Sequence, residues 1–256
     1  MAADTSAPRV PALPLRSRPW ILTYHSVSDP TDDPYGITVS ADRLDEQLTW
    51  LRRRGLRGVG MSALLRARAA GERGLVGLTF DDGYADFLGE ALPVLLAHRC
   101  TATVFVLPGR PGGSNDWDPL GPRRPLLTEE GVRGVASAGM EVGSHGMLHR
   151  DLTVLSDEEL RQETWGSRDA LHHVLGQPPA GFCYPYGTAD RRVVESVREA
   201  GYAYGCALVP GPLAGPLALP RTHVSHADRG VRLRAKEVRH RLRTRSAGTP
   251  VPGDAG

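Results

Sequence analysis

Apolar positions along the chain follow two alternating rhythms. Short β-branched and aromatic runs read as buried strands at 20–24, 75–80, 101–106, 140–144, 181–184, 202–208 and 217–224. Between them, spacings of three and four mark amphipathic helices. Ser40 caps one through Leu44, Leu48 and Leu51, closed by Gly55, and another covers 62–70. A third runs through Leu88, Leu92, Leu95 and Leu96, and Thr128 opens a fourth that stops at Gly139. Ser156-Asp-Glu-Glu159 is a capping box ahead of Leu160, Trp165, Leu171 and Val174, and Val193, Val194 and Val197 mark one more helix. Two Pro-rich stretches, 28–36 and 108–125, read as loops, the second long enough to expect a role in function. Strand and helix alternate without an internal repeat, which predicts an α/β fold with a parallel sheet, open or closed into a barrel.

The polar residues that interrupt this pattern fall at the carboxyl ends of strands: His25, Asp81, Asp82, His145, Tyr184 and Arg221. In a barrel those ends form one face, so groups far apart in sequence converge there. Two adjacent carboxylates at a strand end are costly to bury unless something pairs with them. A divalent cation would let one ligate while the other stays free as a base; a solvated Asp-Asp-Gly turn is the plain alternative. His145 and His149 are four apart, and on a helical turn they would face one side and share a metal. No Glu adjoins His145, so the metalloprotease pattern is absent. Two imidazoles and a carboxylate make an open zinc site, and Asp82 fits as the third ligand.

Length and charge narrow the picture. The 256 residues suit one large domain or two small ones, and a net charge of +2 argues against nucleic-acid binding. Cys100, Cys183 and Cys206 have neither a disulfide framework nor metal-finger spacing. Nothing in 1–19 resembles a signal peptide and no run approaches a membrane span, so a cytoplasmic location is expected. The expected division is a disordered arm at 1–18, a barrel domain at 19–228, a basic helix at 229–245 and a disordered tail at 246–256. Val231, Leu233, Val238 and Leu242 give that helix a partial apolar face. It either packs on the barrel with its basic side solvated, or makes a peripheral contact with an anionic membrane or a phosphate-bearing substrate.

Three motifs in order then carry a family resemblance. Thr79-Phe-Asp-Asp-Gly83 resembles the first motif of the polysaccharide deacetylases, Ser144-His145 with His149 the second, and Phe182-Cys-Tyr-Pro-Tyr-Gly187 the third. Thr23-Tyr-His-Ser-Val27 and Leu219-Pro-Arg221 are similar to the branch acting on poly-N-acetylglucosamine. The resemblance spans roughly residues 20–225. It implies an irregular (β/α) barrel of parallel strands with the active site at their C-terminal ends. It also implies removal of N-acetyl groups from an N-acetylated carbohydrate, by attack of a water bound to one divalent metal ion. Zn2+ suits the ligands, and Co2+ or Ni2+ would use the same set. By position, Asp81 would be the general base and Asp82, His145 and His149 the metal ligands. A backbone N–H near Tyr184 would help stabilise the oxyanion. His25, Tyr184, Pro185 and Tyr186 would shape the sugar site.

Three departures accompany the likeness. Gly146 stands where the family usually has Ser or Thr, which removes a hydrogen bond that orders the loop. Cys183 stands nearest the place of an Arg that pairs with the base, and Arg221 is its candidate replacement; otherwise Arg221 is a surface residue. The Leu-x-His pattern of the general acid is missing, leaving His223, or His226 beyond it, as candidates or as plain loop histidines. Two other functions remain open: an amidohydrolase on a non-sugar amide, and a catalytically silent carbohydrate-binding barrel.

Overall fold

A strand buried on both faces must be apolar throughout, and the apolar runs of this chain become such strands. The computed structural model describes residues 19–208 and 215–246. The strands are β1 (Ile21–Tyr24), β2 (Ser26–Val27), β3 (Thr38–Val39), β4 (Arg57–Val59), β5 (Leu75–Phe80), β6 (Thr103–Val106), β7 (Glu141–Ser144), β8 (Gly181–Cys183), β9 (Tyr204–Ala207), β10 (Leu219–Pro220) and β11 (Thr222–His223). The helices are α1 (Ala41–Arg53), α2 (Met61–Ala69), α3 (Leu92–Ala97), α4 (Glu129–Ser137), α5 (Asp157–Arg161), α6 (Ser167–Leu175), α7 (Arg191–Glu199) and α8 (Gly230–Ser246). The expected arm at 1–18 and the tail beyond 246 lie outside the described residues.

Every ladder in the main sheet is parallel, in the order β10-β9-β8-β7-β6-β5-β1-β11, with β4 added beside β5. Its two edges belong to one stretch. Leu219 pairs with Cys206 on β9, and Thr222 pairs with Leu22 on β1. Residues 219–223 therefore bridge the first and last strands and close the sheet into the irregular barrel. Pro220 has no N–H to give, and the ladder changes sides at Arg221, whose N–H donates to Ala207 C=O at 3.1 Å. Along β6, Phe105 joins Ile21, Cys183, Tyr204, Cys206 and Leu219 in one core cluster, while Val104 and Val106 join the larger cluster with α1 and α3 residues.

Some elements differ from the sequence pattern. β4 is a three-residue strand that periodicity does not reveal, and the loop before α1 carries the small parallel pair β2–β3. The long helix after Ser156 is broken by a π-helical turn, Gln162–Gly166, and another, Phe87–Ala91, precedes α3. In α8 only part of the apolar face is buried: Leu233 is 1% exposed and Val231 is 87% exposed. Part of its basic charge is paired within the chain. Glu237 pairs with Arg234 and Arg241, and Lys236 with Asp228. Among the described residues no helix is long and apolar enough to cross a membrane.

Candidate active site

At the end of β5 the backbone turns through two left-handed residues, Asp82 (φ 69°) and Gly83 (φ 69°). A Cβ at Gly83 would stand 2.9 Å from the Val106 side chain, so glycine is required there. The turn gives the two neighbouring carboxylates different partners. Asp81 meets Arg221, which reaches across from the barrel seam and donates from Nη1 to Oδ1 (2.6 Å) and from Nη2 to Oδ2 (2.8 Å). Nη1 also donates to the hydroxyls of Thr23 (2.7 Å) and Thr79 (3.1 Å). Arg221 is thus buried inside the barrel and not on the surface.

Asp82 faces two imidazoles. Its Oδ1 lies 3.3 Å from Nε2 of His145 and 3.3 Å from Nε2 of His149. The second histidine does not arrive on a helical turn, as the four-residue spacing suggested. Residues 145–150 form an irregular loop in which Gly146 and His149 are left-handed (φ 81° and 62°). Four described non-glycine residues have positive φ, and Asp82, His149 and Tyr186 among them gather here, which marks the site as held in strained geometry. Gly146 is not a loss of order, because a Cβ at that position would lie 2.7 Å from a carboxylate oxygen of Glu163, which itself holds the loop.

Asp82, His145 and His149 can hold a metal ion: their ligand atoms lie within 4.8 Å of one another and all three are buried. The hydrogen bonding fits a cation. His145 Nδ1 lies 2.8 Å from Cys183 C=O, which can only accept, so Nδ1 carries the proton and Nε2 is free to ligate. Asp82 Oδ1 is buried without a hydrogen-bond partner. A lone-pair acceptor left unpaired between two imidazole nitrogens is what a bound cation would satisfy. Burial alone would raise both carboxyls. The Arg221 guanidinium outweighs it at Asp81, holding that group down at about 2, and the two imidazoles keep Asp82 well below the usual range.

These groups line an open cavity of about 220 Å3, together with His25, Tyr35, Trp117, Asp118 and Tyr186. A larger cavity of about 510 Å3 lies at the start of β1 and β5, near Trp20 and Arg73, and holds none of this chemistry. Trp117 stacks on His149 with ring centroids 4.4 Å apart, and Arg110 lies 5.3 Å from the Trp117 ring. Tyr186, half exposed, meets His149 edge-on at 4.7 Å. Its two neighbours behave differently from expectation. The Tyr184 ring is fully buried and its hydroxyl donates to Leu217 C=O (2.7 Å), so it is a core residue that only borders the cavity. Its N–H donates to Cys206 C=O (3.1 Å) and is not available to an oxyanion. Pro185 is buried behind the cavity, near Gly146.

Nε2 of His25 lies 3.8 Å from Asp81 Oδ2 on the cavity wall. His223 does not border the cavity. It sits against the ring of His25 at 6.0 Å, and burial, then His25 and Lys236, lower its pKa to about 4. Set back from the cavity that His25 borders, His223 is poorly placed to be the acid. His226 is further off, its Nδ1 accepting from the N–H of Ser40 at 3.4 Å. Asp118 is the group the sequence did not single out. It is half-buried in the 108–125 loop, and burial and the charge of Asp82 raise its carboxyl to about 6. Nothing in its sequence neighbourhood distinguishes it from the other polar residues of that loop.

The sequence profile of polysaccharide deacetylases matches residues 68–205. The chain belongs to the polysaccharide deacetylase family. It is therefore an enzyme of the carbohydrate deacetylase class, and the match takes in β5, β6, β7 and β8 with Asp81, Asp82, His145 and His149. YxkH of Bacillus subtilis (strain 168) is 26% identical over 211 residues, covering 80% of this chain and 71% of that protein. The poly-beta-1,6-N-acetyl-D-glucosamine N-deacetylase of Escherichia coli (strain K12) is 25% identical over 238 residues, and the chain spans about a third of it (34%). Among solved structures, the Streptococcus pyogenes deacetylase PplD in complex with acetate superposes with a TM-score of 0.73 at 24% identity. The match covers 86% of this chain and 98% of that one and supports the barrel fold.

Proposed function

We propose that this family member is a metal-dependent N-deacetylase that hydrolyses the acetamide of an N-acetylated sugar. The observation that carries the reading is the buried, unpartnered Asp82 Oδ1 held 3.3 Å from two imidazole nitrogens, beside an Asp81 fixed by Arg221. Asp82, His145 and His149 would hold one divalent cation. Zn2+ fits one carboxylate and two imidazoles, and Co2+ or Ni2+ accepts the same donors. When bound, the cation supplies positive charge that acidifies water and polarises the acetamide carbonyl.

The remaining steps belong to the chain. Asp81 accepts the proton of the attacking water. Arg221 keeps that carboxylate ionised and fixes both of its oxygens, so the accepting lone pair has one direction. As the C–N bond breaks, the same proton passes to the leaving nitrogen, giving acetate and a sugar amine. His25, the imidazole on the cavity wall nearest Asp81, is placed to relay it. With the Tyr184 N–H engaged and Pro185 lacking one, the Tyr186 N–H is the backbone donor assigned to the oxyanion. Trp117 and Tyr186 pack against His149 and flank the opening where the sugar would lie. The poly-N-acetylglucosamine relative supports a hexosamine substrate, and the convergence of all four motif groups speaks against a silent binding barrel.

Acetate release from N-acetylglucosamine oligomers, measured beside a simple non-sugar acetamide, tests the substrate class. Turnover of the sugar alone supports the reading, and preference for the plain acetamide makes the protein an amidohydrolase of another kind. In the same assay His25→Ala lowers kcat by about 10²–10⁴-fold, the usual worth of a positioned proton-transfer group, while His223→Ala stays within about tenfold of the unaltered protein. The reverse order would return the acid role to His223.

A further inference from the structure

The loop that carries both histidines is folded around a buried carboxylate. Glu163 is 2% exposed, and its Oε2 accepts from the N–H groups of Met147 (2.7 Å) and Leu148 (3.1 Å). The N–H of Gly146, just before them, goes to Ser144 Oγ at 3.2 Å, and that hydroxyl donates to Ser167 Oγ at 2.8 Å. Three consecutive N–H groups between His145 and His149 are thus taken by two side chains, Glu163 and a Ser144 that is itself tied to Ser167. Among the described residues no Lys, Arg or His forms an ion pair with Glu163, so backbone N–H groups balance its buried carboxylate.

Glu163 lies in the π-helical turn Gln162–Gly166 between α5 and α6. One residue more in a turn rotates everything beyond it by about 100° relative to a continuous α-helix. Leu160 before the turn and Leu171 after it enter different core clusters, while Glu163 between them points at the loop. The hydroxyl of Ser167 donates to Glu163 C=O at 2.6 Å within the same turn. From the other side the loop's carbonyls are held as well: Gly109 N–H donates to Met147 C=O (3.1 Å), and Arg110 Nε to Leu148 C=O (3.1 Å). Gly146 completes the fit, since any side chain there would collide with Glu163 Oε2.

Resting on the metal reading given under Proposed function, we infer that Glu163 is a positioning residue that sets the metal affinity of this site by templating the His145–His149 loop. Outer-shell groups of this kind are commonly worth about 10–100-fold in metal affinity. The left-handed His149 has no helix to hold it, so its direction depends on the bonds that shape the loop.

The test is the Zn2+ dissociation constant, measured by competition with a chromophoric chelator, for the unaltered protein, Glu163→Ala and Glu163→Gln, each checked for native circular dichroism. Glu163→Ala is expected to bind one Zn2+ about 10–100-fold more weakly. Glu163→Gln keeps an acceptor oxygen but loses the charge-assisted bonds, and should recover most of the affinity, remaining a few-fold weaker. A folded Glu163→Ala with unchanged affinity overturns the positioning role. If Glu163→Ala does not fold, Glu163→Gln decides: a few-fold loss supports the role and unchanged affinity overturns it. Failure of the unaltered protein to bind Zn2+ is a separate outcome that overturns the metal reading and this inference with it.

Discussion

Asp81→Asn lowers kcat for acetate release by about 10²–10⁴-fold and leaves Zn2+ binding within about tenfold of the unaltered protein. The amide matches the carboxylate in size, so the cavity and the Asp82 turn are kept. It retains one oxygen for Arg221 but presents an NH2 group where the second accepted, and it has no lone pair able to take a proton from water at neutral pH. The separation of the two readouts is what the geometry requires: Asp81 is bonded to Arg221 and Thr23 on one side of the turn, and Asp82 Oδ1 lies 3.3 Å from the two imidazoles on the other. Equal loss of metal binding and turnover would mean that both carboxylates act as ligands. Turnover within tenfold of the unaltered protein would place the base elsewhere.

Arg221→Met has the second large effect, in stability and in pH dependence. It leaves Asp81 buried without its cation, a loss of about 3–5 kcal/mol, which lowers Tm by roughly 10 °C for a domain of this size. The pH window follows from the sign of the shift. Asp81 has a folded pKa of about 2, below its ordinary value of 3.8. Its ionised form therefore contributes stability that is present above pH 3.8 and is lost as pH falls through 2. Without the guanidinium, burial acts unopposed and raises the carboxyl. The acid limb of kcat/KM, which requires the ionised base, then moves up toward neutrality. Thermal melts and pH–rate profiles of the two proteins check both effects. An Arg221→Met variant with an unshifted acid limb would show that Arg221 does not govern the ionisation of Asp81.

Much of this site could be read from residue order because strand ends in a parallel barrel converge by topology. His25, Asp81, His145 and Arg221 each follow a short apolar run, and the barrel brings those ends together whatever the intervening helices do. Arg221 as the partner of Asp81 came from the family resemblance, as a candidate replacement for an Arg that pairs with the base, and the barrel brings it there because the last strand returns beside β1, next to β5. What periodicity could not supply was backbone geometry. The turn at Asp82, the left-handed His149 and the π-turn that aims Glu163 have no signature in hydrophobic spacing. Tyr184 and Pro185 illustrate the limit within one motif. Strand alternation would put both tyrosines on one side, but the strand ends at Cys183 and the left-handed Tyr186 (φ 58°) turns the chain, so Tyr184 stays in the core while Tyr186 reaches the opening. Asp118 was illegible because a long loop has no period, and its place depends on tertiary bonds such as Asn115 Oδ1 accepting from Arg124 N–H at 2.7 Å.

The most direct test of the account is metal reconstitution. Protein freed of metal with a chelator is titrated with Zn2+, and bound Zn2+ per chain and acetate release from N-acetylglucosamine oligomers are followed together, beside His149→Ala. The account predicts no turnover without metal, turnover rising in proportion to occupancy up to one Zn2+ per chain, and a His149→Ala variant that neither retains Zn2+ nor releases acetate under the same conditions. Acetate release by metal-free protein at the reconstituted rate would contradict it.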